Sequence, residues 1–260
     1  MKAVKARIEQ IACKQASRTI IEPGIHLLKV VDLERQLVQL FTLIRQQLEH
    51  TVKIIVLGAN GRTGRLVIRQ ALASGHTVTG LVRSVDSLKG FKHERLTVEV
   101  GDVSDPAFLQ SVFPGHDAVV STVGPRAATK AACSIYPDSA AAMVEAMSTS
   151  GLKRVIVTST ALLFPPSGIF DRVVHLIAKN NQEAASSMES LISNAGLDYT
   201  FIRTGFLTNR DDSEFTKTEG AAPKDARSVS RLALANFIVY ELDRSDHIGG
   251  IVGLSNRRVA

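Results

Sequence analysis

The sequence predicts an α/β fold, a doubly wound parallel sheet, over residues 51–260 of the 260-residue chain. Short apolar strands alternate with helices of about 10–15 residues, as in a parallel sheet that carries helices on both faces. The first strand also runs into a glycine-spaced turn, VKIIVLGANGRTG, and an apolar helix face follows at once. Ligands of such sheets bind at the carboxyl ends of the strands, near the point where the strand order reverses.

The predicted elements follow one another closely along the chain. Strand 52–57 ends at a glycine, and the helix over 62–74 is stopped by Ser74-Gly75. The other predicted strands are 77–82, 96–100, 117–123, 154–158, 199–203 and 250–254. The other predicted helices are 105–113, 137–150, 180–195 and 228–242.

Residues 1–50 precede this pattern and are predicted to form a helical N-terminal extension. Apolar side chains recur at helical spacing within 31–48, namely Leu33, Leu37, Leu40, Phe41, Ile44 and Leu48. The stripe predicts a packing or dimerisation helix, and thereby a homo-oligomer, with a basic targeting arm as the alternative. We expect this extension to matter for assembly and not for ligand binding.

Composition and charge exclude several classes of function. The chain is 45% hydrophobic and 22% charged, as is ordinary for a globular protein. It has no run of about 18 apolar residues and no signal-peptide pattern, so neither a membrane span nor secretion is expected. The net charge of +6 is scattered, which argues against a nucleic-acid partner. Two cysteines, Cys13 and Cys133, make neither a disulfide framework nor a metal site and favour the cytoplasm.

Three glycines spaced three residues apart carry the strongest functional signal. The first permits a sharp turn, the second lets the backbone approach a pyrophosphate, and the third lets the helix sit close to the strand. The glycines are Gly58, Gly61 and Gly64, and the donors in the same turn are Asn60, Arg62 and Thr63. The pattern predicts a dinucleotide site of the Rossmann type. A tight strand–helix turn without a ligand is the alternative.

Motifs at nearly every strand end carry a family resemblance. They are GANGRTG at 58–64, VTGLVRS at 78–84, VEVGDVSD at 98–105, HDAVVSTVG at 116–124, VIVTSTALL at 155–163 and GLDYTFIRTG at 196–205. From about 51 to 255 the chain resembles atypical short-chain dehydrogenases/reductases. Within them it is similar to the NAD(P)H-binding branch that includes biliverdin reductase B (flavin reductase) and NmrA-like proteins. The resemblance implies a Rossmann fold, a nicotinamide cofactor and a small-molecule substrate.

The residues after the second strand predict NADP(H) as the cofactor. An acidic residue about 20 positions beyond the glycines would favour NAD, but the strand ends in Arg83-Ser84. A guanidinium there can hold a 2′-phosphate, and Arg62 can close on it from the other side. The alternative is a solvated Arg83 with Asp86 on the ribose.

The resemblance implies roles for residues at the other strand ends. Asp102 is expected to contact the adenine amino group and Val103 to pack on the ring, although Asp102 also suits a turn cap. Gly124 is expected to allow close approach of the nicotinamide ribose. Ser159 is the candidate catalytic residue beside the nicotinamide, with a hydroxyl satisfied by backbone as the alternative. The remaining candidate cofactor-binding residues are Val123, Thr158 and Thr204.

One departure from the family pattern bears on the chemistry. Many relatives carry a Tyr-x-x-x-Lys pair for proton transfer, and no such pair occurs here. Ala185 or Ser186 falls where the lysine is expected. We therefore predict hydride transfer from NADPH to a small conjugated acceptor that is flavin-, quinone- or enone-like, with no essential tyrosine acid. The alternatives are an NmrA-like redox sensor without turnover and a non-redox enzyme on the same fold. No histidine spacing indicates a metal site.

Overall fold

A mostly parallel sheet forms the middle layer of the structure, a computed structural model that describes residues 51–166, 168–224 and 228–256. Its strands, together with a separate short pair, are β1 (Lys53–Leu57), β2 (Thr77–Val82), β3 (Leu96–Val100), β4 (Ala118–Ser121), β5 (Arg154–Thr160), β6 (Asp198–Thr204), β7 (Phe206–Thr208), β8 (Phe215–Glu219), β9 (Ser228–Ser230) and β10 (Gly250–Asn256). The eight-stranded sheet has the order β3-β2-β1-β4-β5-β6-β10-β8. The predicted extension over 1–50 lies outside the described residues.

Helices cover both faces of this sheet. They are α1 (Arg62–Ala73), α2 (Pro106–Val112), α3 (Lys130–Cys133), α4 (Ile135–Ser150), α5 (Ile169–Ile177), α6 (Lys179–Ser193) and α7 (Arg231–Arg244). Helices α1 and α7 pack together, whereas α4 packs against α2 and α6. The predicted doubly wound Rossmann fold is therefore confirmed. None of the helices in the described residues is long and apolar enough to cross a bilayer.

Alternation along β1 explains why the sheet buries two cores. Ile54 and Val56 belong to the first core, which contains the apolar faces of α1 and α7. Ile55 and Leu57 point to the opposite face and belong to the second core, which contains those of α2, α4 and α6. Successive strand residues face opposite sides, so a continuous apolar run is what a strand buried on both faces requires.

The structure also contains elements that the sequence analysis did not predict. Strand β8 pairs antiparallel with β10 at the edge of the sheet, so the sheet is not wholly parallel. Strands β7 and β9 form a separate parallel pair of three residues each. Helices α3 and α5 have four and nine residues, which is too short for a clear helical period. The predicted boundaries of the other elements differ from the observed ones by up to three residues.

A fully buried histidine links the first core to the start of the sheet. His76 accepts a hydrogen bond from the backbone N–H of Val52 at 3.3 Å, and its Nε2 lies 3.3 Å from Asp243 Oδ1. Burial lowers the pKa of His76, Asp243 opposes this shift only in part, and Arg95 adds to it. The folded state therefore holds this imidazole neutral.

We expect this histidine to make the protein less stable in mild acid. As the pH falls below about 6.5, the ordinary histidine pKa, the unfolded chain takes up a proton before the folded chain can. The free energy of unfolding should drop until the lower pKa of folded His76 is passed. Urea unfolding at pH 7.5 and 5.5 measures the drop, and His76→Asn should flatten it. Exposed His93→Asn is the control, and an equal drop in all three proteins would contradict the assignment.

Candidate functional site

A cavity of about 700 Å³ opens at the carboxyl ends of the central strands. Strand β1 lies between β2 and β4, so the strand order reverses here, where ligands of such sheets bind. The size is that of an ordinary small-molecule site. Six of the predicted site residues line it: Thr63, Val123, Gly124, Thr158, Ser159 and Thr204.

The glycine-spaced turn beside this cavity is built around close backbone contacts. Gly58 has a φ of +76°, and a Cβ there would lie 3.0 Å from Thr122 Oγ1. A Cβ on Gly64 would lie 2.3 Å from the carbonyl oxygen of Gly58, which no side chain tolerates. The N–H of Gly61 donates to the same carbonyl at 2.8 Å and closes the turn. Glycine is therefore required at 58 and 64 for the fold itself.

The start of α1 is left without a cap from its own chain. Its N-cap residue, Gly61, makes no side-chain cap bond, and its first turn holds no acidic residue. Asp105 caps α2 and Ser230 caps α7, whereas α4, α5 and α6, like α1, have no side-chain cap. Free N–H groups and the positive end of the helix dipole favour a bound anion. The turn therefore fits the pyrophosphate of a dinucleotide.

The predicted donors in this turn differ in whether other residues of the protein already bind them. The Oδ1 of Asn60 accepts from Arg65 Nη2 at 2.8 Å, and Arg65 also donates to the carbonyl of Ser87. Arg62 makes no hydrogen bond or ion pair with any described residue. Burial and then Arg62 lower the pKa of Arg231, so two cationic groups lie near each other here. Sequence analysis missed Arg231 because it lies more than 160 residues beyond the glycines.

Arg83 and Ser84 lie exposed after β2, and the Arg83 guanidinium has no partner among the described residues. The competing acid, Asp86, forms an exposed ion pair with Lys89 at 2.6 Å. The guanidinium is therefore free for a ligand, whereas the carboxylate already has a cation beside it.

Asp102 has the turn-capping role that the sequence analysis held as an alternative. Its Oδ1 accepts from the N–H of Ser104 at 2.9 Å, and Asp105 provides the cap of α2. Val103 is half-buried and packs against the second core. Neither Asp102 nor Val103 lines the cavity.

Ser159 forms a buried network that the sequence did not predict. Its Oγ donates to Glu189 Oε1 at 2.6 Å, so a carboxylate on α6 satisfies the hydroxyl, not the backbone. Arg203 on β6 donates to both oxygens of Glu189, at 3.1 and 2.6 Å, and to the carbonyl of Leu163 at 3.0 Å. The negative charge of Glu189 is thus balanced, and Ser159 keeps only its lone pairs for the cavity.

Tyr136 is one of the lining residues of the cavity that sequence analysis did not assign to the site. It lies on the first turn of α4 and is only 8% exposed. Its hydroxyl lies near Gly124, since a Cβ built there would be 3.6 Å from it. Burial, then Cys133 and Glu189, raise the pKa of Tyr136 to about 12. No sequence signal marks this tyrosine, because only the fold brings it beside β4 and β5.

A model of the NAD(P)H-binding family matches residues 58–245 of the chain. The chain belongs to this NAD(P)H-binding family. It is 30% identical to the UPF0659 protein YMR090W of Saccharomyces cerevisiae, over 74% of this chain and 87% of that protein. The family resemblance expected from the motifs is thereby confirmed.

Other relatives in the NAD(P)H-binding family carry different names. The photosystem II assembly factor Ycf39 of Synechocystis is 26% identical over 60% of this chain and 45% of that protein. The isoflavone reductase homolog IRL of Zea mays is 28% identical over 60% of this chain and 48% of that protein. The chain therefore spans about half the length of these two relatives, one named as an assembly factor and the other as a reductase homolog.

Solved structures agree on the fold. A short-chain dehydrogenase/reductase of Veillonella parvula in complex with NADP has a TM-score of 0.66 at 21% identity, over 79% of this chain and 95% of that one. An NAD-dependent epimerase/dehydratase from Bacillus halodurans has a TM-score of 0.68 at 22% identity, over 80% and 95%. At such identities the likeness establishes the Rossmann fold alone. Within residues 51–166, 168–224 and 228–256, no cluster of three or more acidic, histidine or cysteine side chains is placed to hold a metal.

Proposed function

We propose that the protein is an NADPH-dependent reductase that delivers a hydride to a small conjugated acceptor of the flavin, quinone or enone type. One observation carries the proposal. The cavity begins at Thr63, on the uncapped start of α1, and continues past Gly124 to Ser159. A cofactor whose pyrophosphate lies on α1 would place its reactive ring in this cavity beside the acceptor.

Apolar side chains form part of the cavity wall and would contact the acceptor ring, while the polar side chains of His175, Asn181 and Lys224 line the rest. The apolar lining residues include Leu162, Phe164, Val174, Leu207 and Pro125. When bound, the nicotinamide cofactor supplies the hydride. The chain binds it, orients the acceptor and excludes water.

The test is NADPH oxidation against a panel of flavins, quinones, enones and simple ketones. We expect turnover of conjugated acceptors and little with simple ketones, because a carbonyl reductase that lacks a positioned acid loses roughly 10²–10⁴ in rate. The absent Tyr-x-x-x-Lys pair equally favours a second candidate, a redox sensor that binds NADP(H) without turnover. Tight NADPH binding with no turnover of any acceptor would select the sensor.

We further propose that NADP(H) is preferred over NAD(H), because the free guanidinium of Arg83 suits the 2′-phosphate. A hydrogen bond to a charged group contributes about 1.5–3 kcal/mol, and the exposed setting favours the lower end. Arg83→Ala should therefore weaken NADPH binding about tenfold and leave NADH binding unchanged. Fluorescence titration of both cofactors measures this, with Lys153→Ala as a control of equal charge change at the opposite end of the strands. Equal affinities for both cofactors in the unaltered protein would refute the preference.

We also propose a cytoplasmic location, which the two cysteines favour. We propose a role in assembly for residues 1–50, which the apolar stripe within 31–48 favours.

A further inference from the structure

The hydroxyl groups that line the cavity differ in whether their protons are free. Thr122 donates to the carbonyl of Leu57 at 3.0 Å, and Thr158 donates to that of Ser121 at 3.2 Å. Ser159 donates to Glu189, as described above. Each of these protons is already used within the protein, so none of the three hydroxyls is free to donate to a ligand.

Three further hydroxyls complete the lining. Thr204 donates to the carbonyl of Ser159 at 3.5 Å. Thr160 accepts from the N–H of Leu162 and lies at the end of β5 as the cap of a short helical turn. Thr63 lies on the first turn of α1, where the cofactor phosphates are expected.

Tyr136, like Thr63, has a hydroxyl that makes no hydrogen bond with any described residue, but Tyr136 lies on α4 and not at the start of α1. Its side chain is nine-tenths buried. Its ring packs in the second core, where a phenylalanine would fill the same space. The hydroxyl oxygen is not sealed from solvent, so its proton is available to a molecule in the cavity. Tyr136 lines the cavity, and its hydroxyl lies near Gly124.

We propose that Tyr136 donates a hydrogen bond to the oxygen of a conjugated carbonyl acceptor, a quinone or an enone, while the acceptor is reduced. This inference rests on the proposed function and names the substrate class of that site. The acceptor takes the hydride at carbon, and the electron pair of its π system moves to the carbonyl oxygen. The Tyr136 O–H stabilises the negative charge formed there, and a proton from water then completes the reduction while the cofactor leaves oxidised.

The electrostatic setting favours a donor that keeps its proton. Burial and the neighbouring carboxylate of Glu189 hold the Tyr136 phenol neutral, with its pKa raised to about 12. A tyrosine of this kind stabilises an oxyanion without becoming one. The sequence predicts no essential tyrosine acid, and Tyr136 keeps its proton here, so it acts as a hydrogen-bond donor and not as an acid.

The experiment compares three Tyr→Phe variants with a quinone acceptor. Removal of one oxyanion donor costs about 10²–10³ in kcat, so Tyr136→Phe should lower kcat about 100-fold with unchanged NADPH affinity. Tyr199 and Tyr240 do not line the cavity and serve as controls. Tyr199 stacks on Phe201, and Tyr240 donates to Asp246 at 3.0 Å. Their variants should retain the full rate. The unaltered protein should also show no ionisation in kcat between about pH 8 and 10.5.

A second measurement does not depend on turnover. The carbonyl stretch of 1,4-naphthoquinone bound with NADP⁺ should lie at lower frequency in the unaltered protein than in Tyr136→Phe. Equal stretches and equal kcat in both proteins would overturn the inference and leave the proposed function standing. Absence of turnover in the unaltered protein would instead reject the proposed function, and the carbonyl stretch would still decide whether Tyr136 binds the oxygen.

Discussion

Replacing Gly61 with valine is expected to abolish NADPH binding in a protein that remains folded. Gly61 is exposed and has φ −64° and ψ 158°, a conformation open to any residue. A Cβ there would meet only the carbonyl oxygen of Gly58, at 3.1 Å. The valine methyl groups would instead occupy the space above the free N–H groups of α1. Loss of two hydrogen bonds to charged oxygens, each about 1.5–3 kcal/mol, weakens binding roughly 10²- to 10⁴-fold.

A matched control exists at Gly168, the N-cap of α5. It also has extended backbone, with φ −171°, and a Cβ there would meet nothing within 4 Å. Gly168→Val should bind NADPH like the unaltered protein, and circular dichroism should show both variants folded. If a folded Gly61→Val protein binds NADPH with unchanged affinity, the turn does not hold the pyrophosphate.

The largest loss of stability is expected on replacing Glu189 with glutamine. Removal of one partner of a buried ion pair typically costs about 3–5 kcal/mol, because the other charge stays buried without compensation. Here Arg203 would lose its carboxylate, and an amide NH₂ that can only donate would replace one of the two oxygens that now accept from Arg203. The free energy of unfolding, measured by urea denaturation, should fall by about that amount.

The control lies on the same helix. Glu183 forms a pair with Lys179 at 3.6 Å, with both side chains at least 65% exposed. Glu183→Gln should change the free energy of unfolding by less than about 1 kcal/mol. Combined replacement of Glu189 and Arg203 by leucine should recover much of the loss, since no buried charge is then left alone. Similar losses for Glu189→Gln and Glu183→Gln would show that the buried pair is not special.

The parts of the fold that the sequence predicted well are those set by local pattern. Strand β1, the glycine turn and α1 follow one another within 21 residues, and each has its own signal. The sequence also predicted the other five inner strands, which are β2, β4, β5, β6 and β10. The boundary of the helix predicted over 228–242 was less accurate. The helix α7 begins only at Arg231, because Ser230 is its N-cap.

The remainder of the candidate site depends on long-range packing. Tyr136, Glu189 and Arg203 come from α4, α6 and β6, and only the strand order brings them together. A glutamate in a polar helix such as KNNQEAASSMESLIS carries no sign that it will be buried against an arginine. Sequence analysis could therefore place the cofactor end of the site but not the acceptor end.

The edge strands of the eight-stranded sheet, β3 and β8, are more polar than its inner strands, and this difference affects aggregation. An unpaired strand edge is a template onto which another chain can add. β3 and β8 carry polar and charged side chains such as Thr97, Glu99, Lys217 and Glu219, whereas the inner β4 is AVVS. Lys217 is held against the Tyr240 ring at 5.3 Å. Charge at the outermost strands opposes edge-to-edge pairing with another sheet, so the apolar inner strands such as β4 do not serve as a template for another chain.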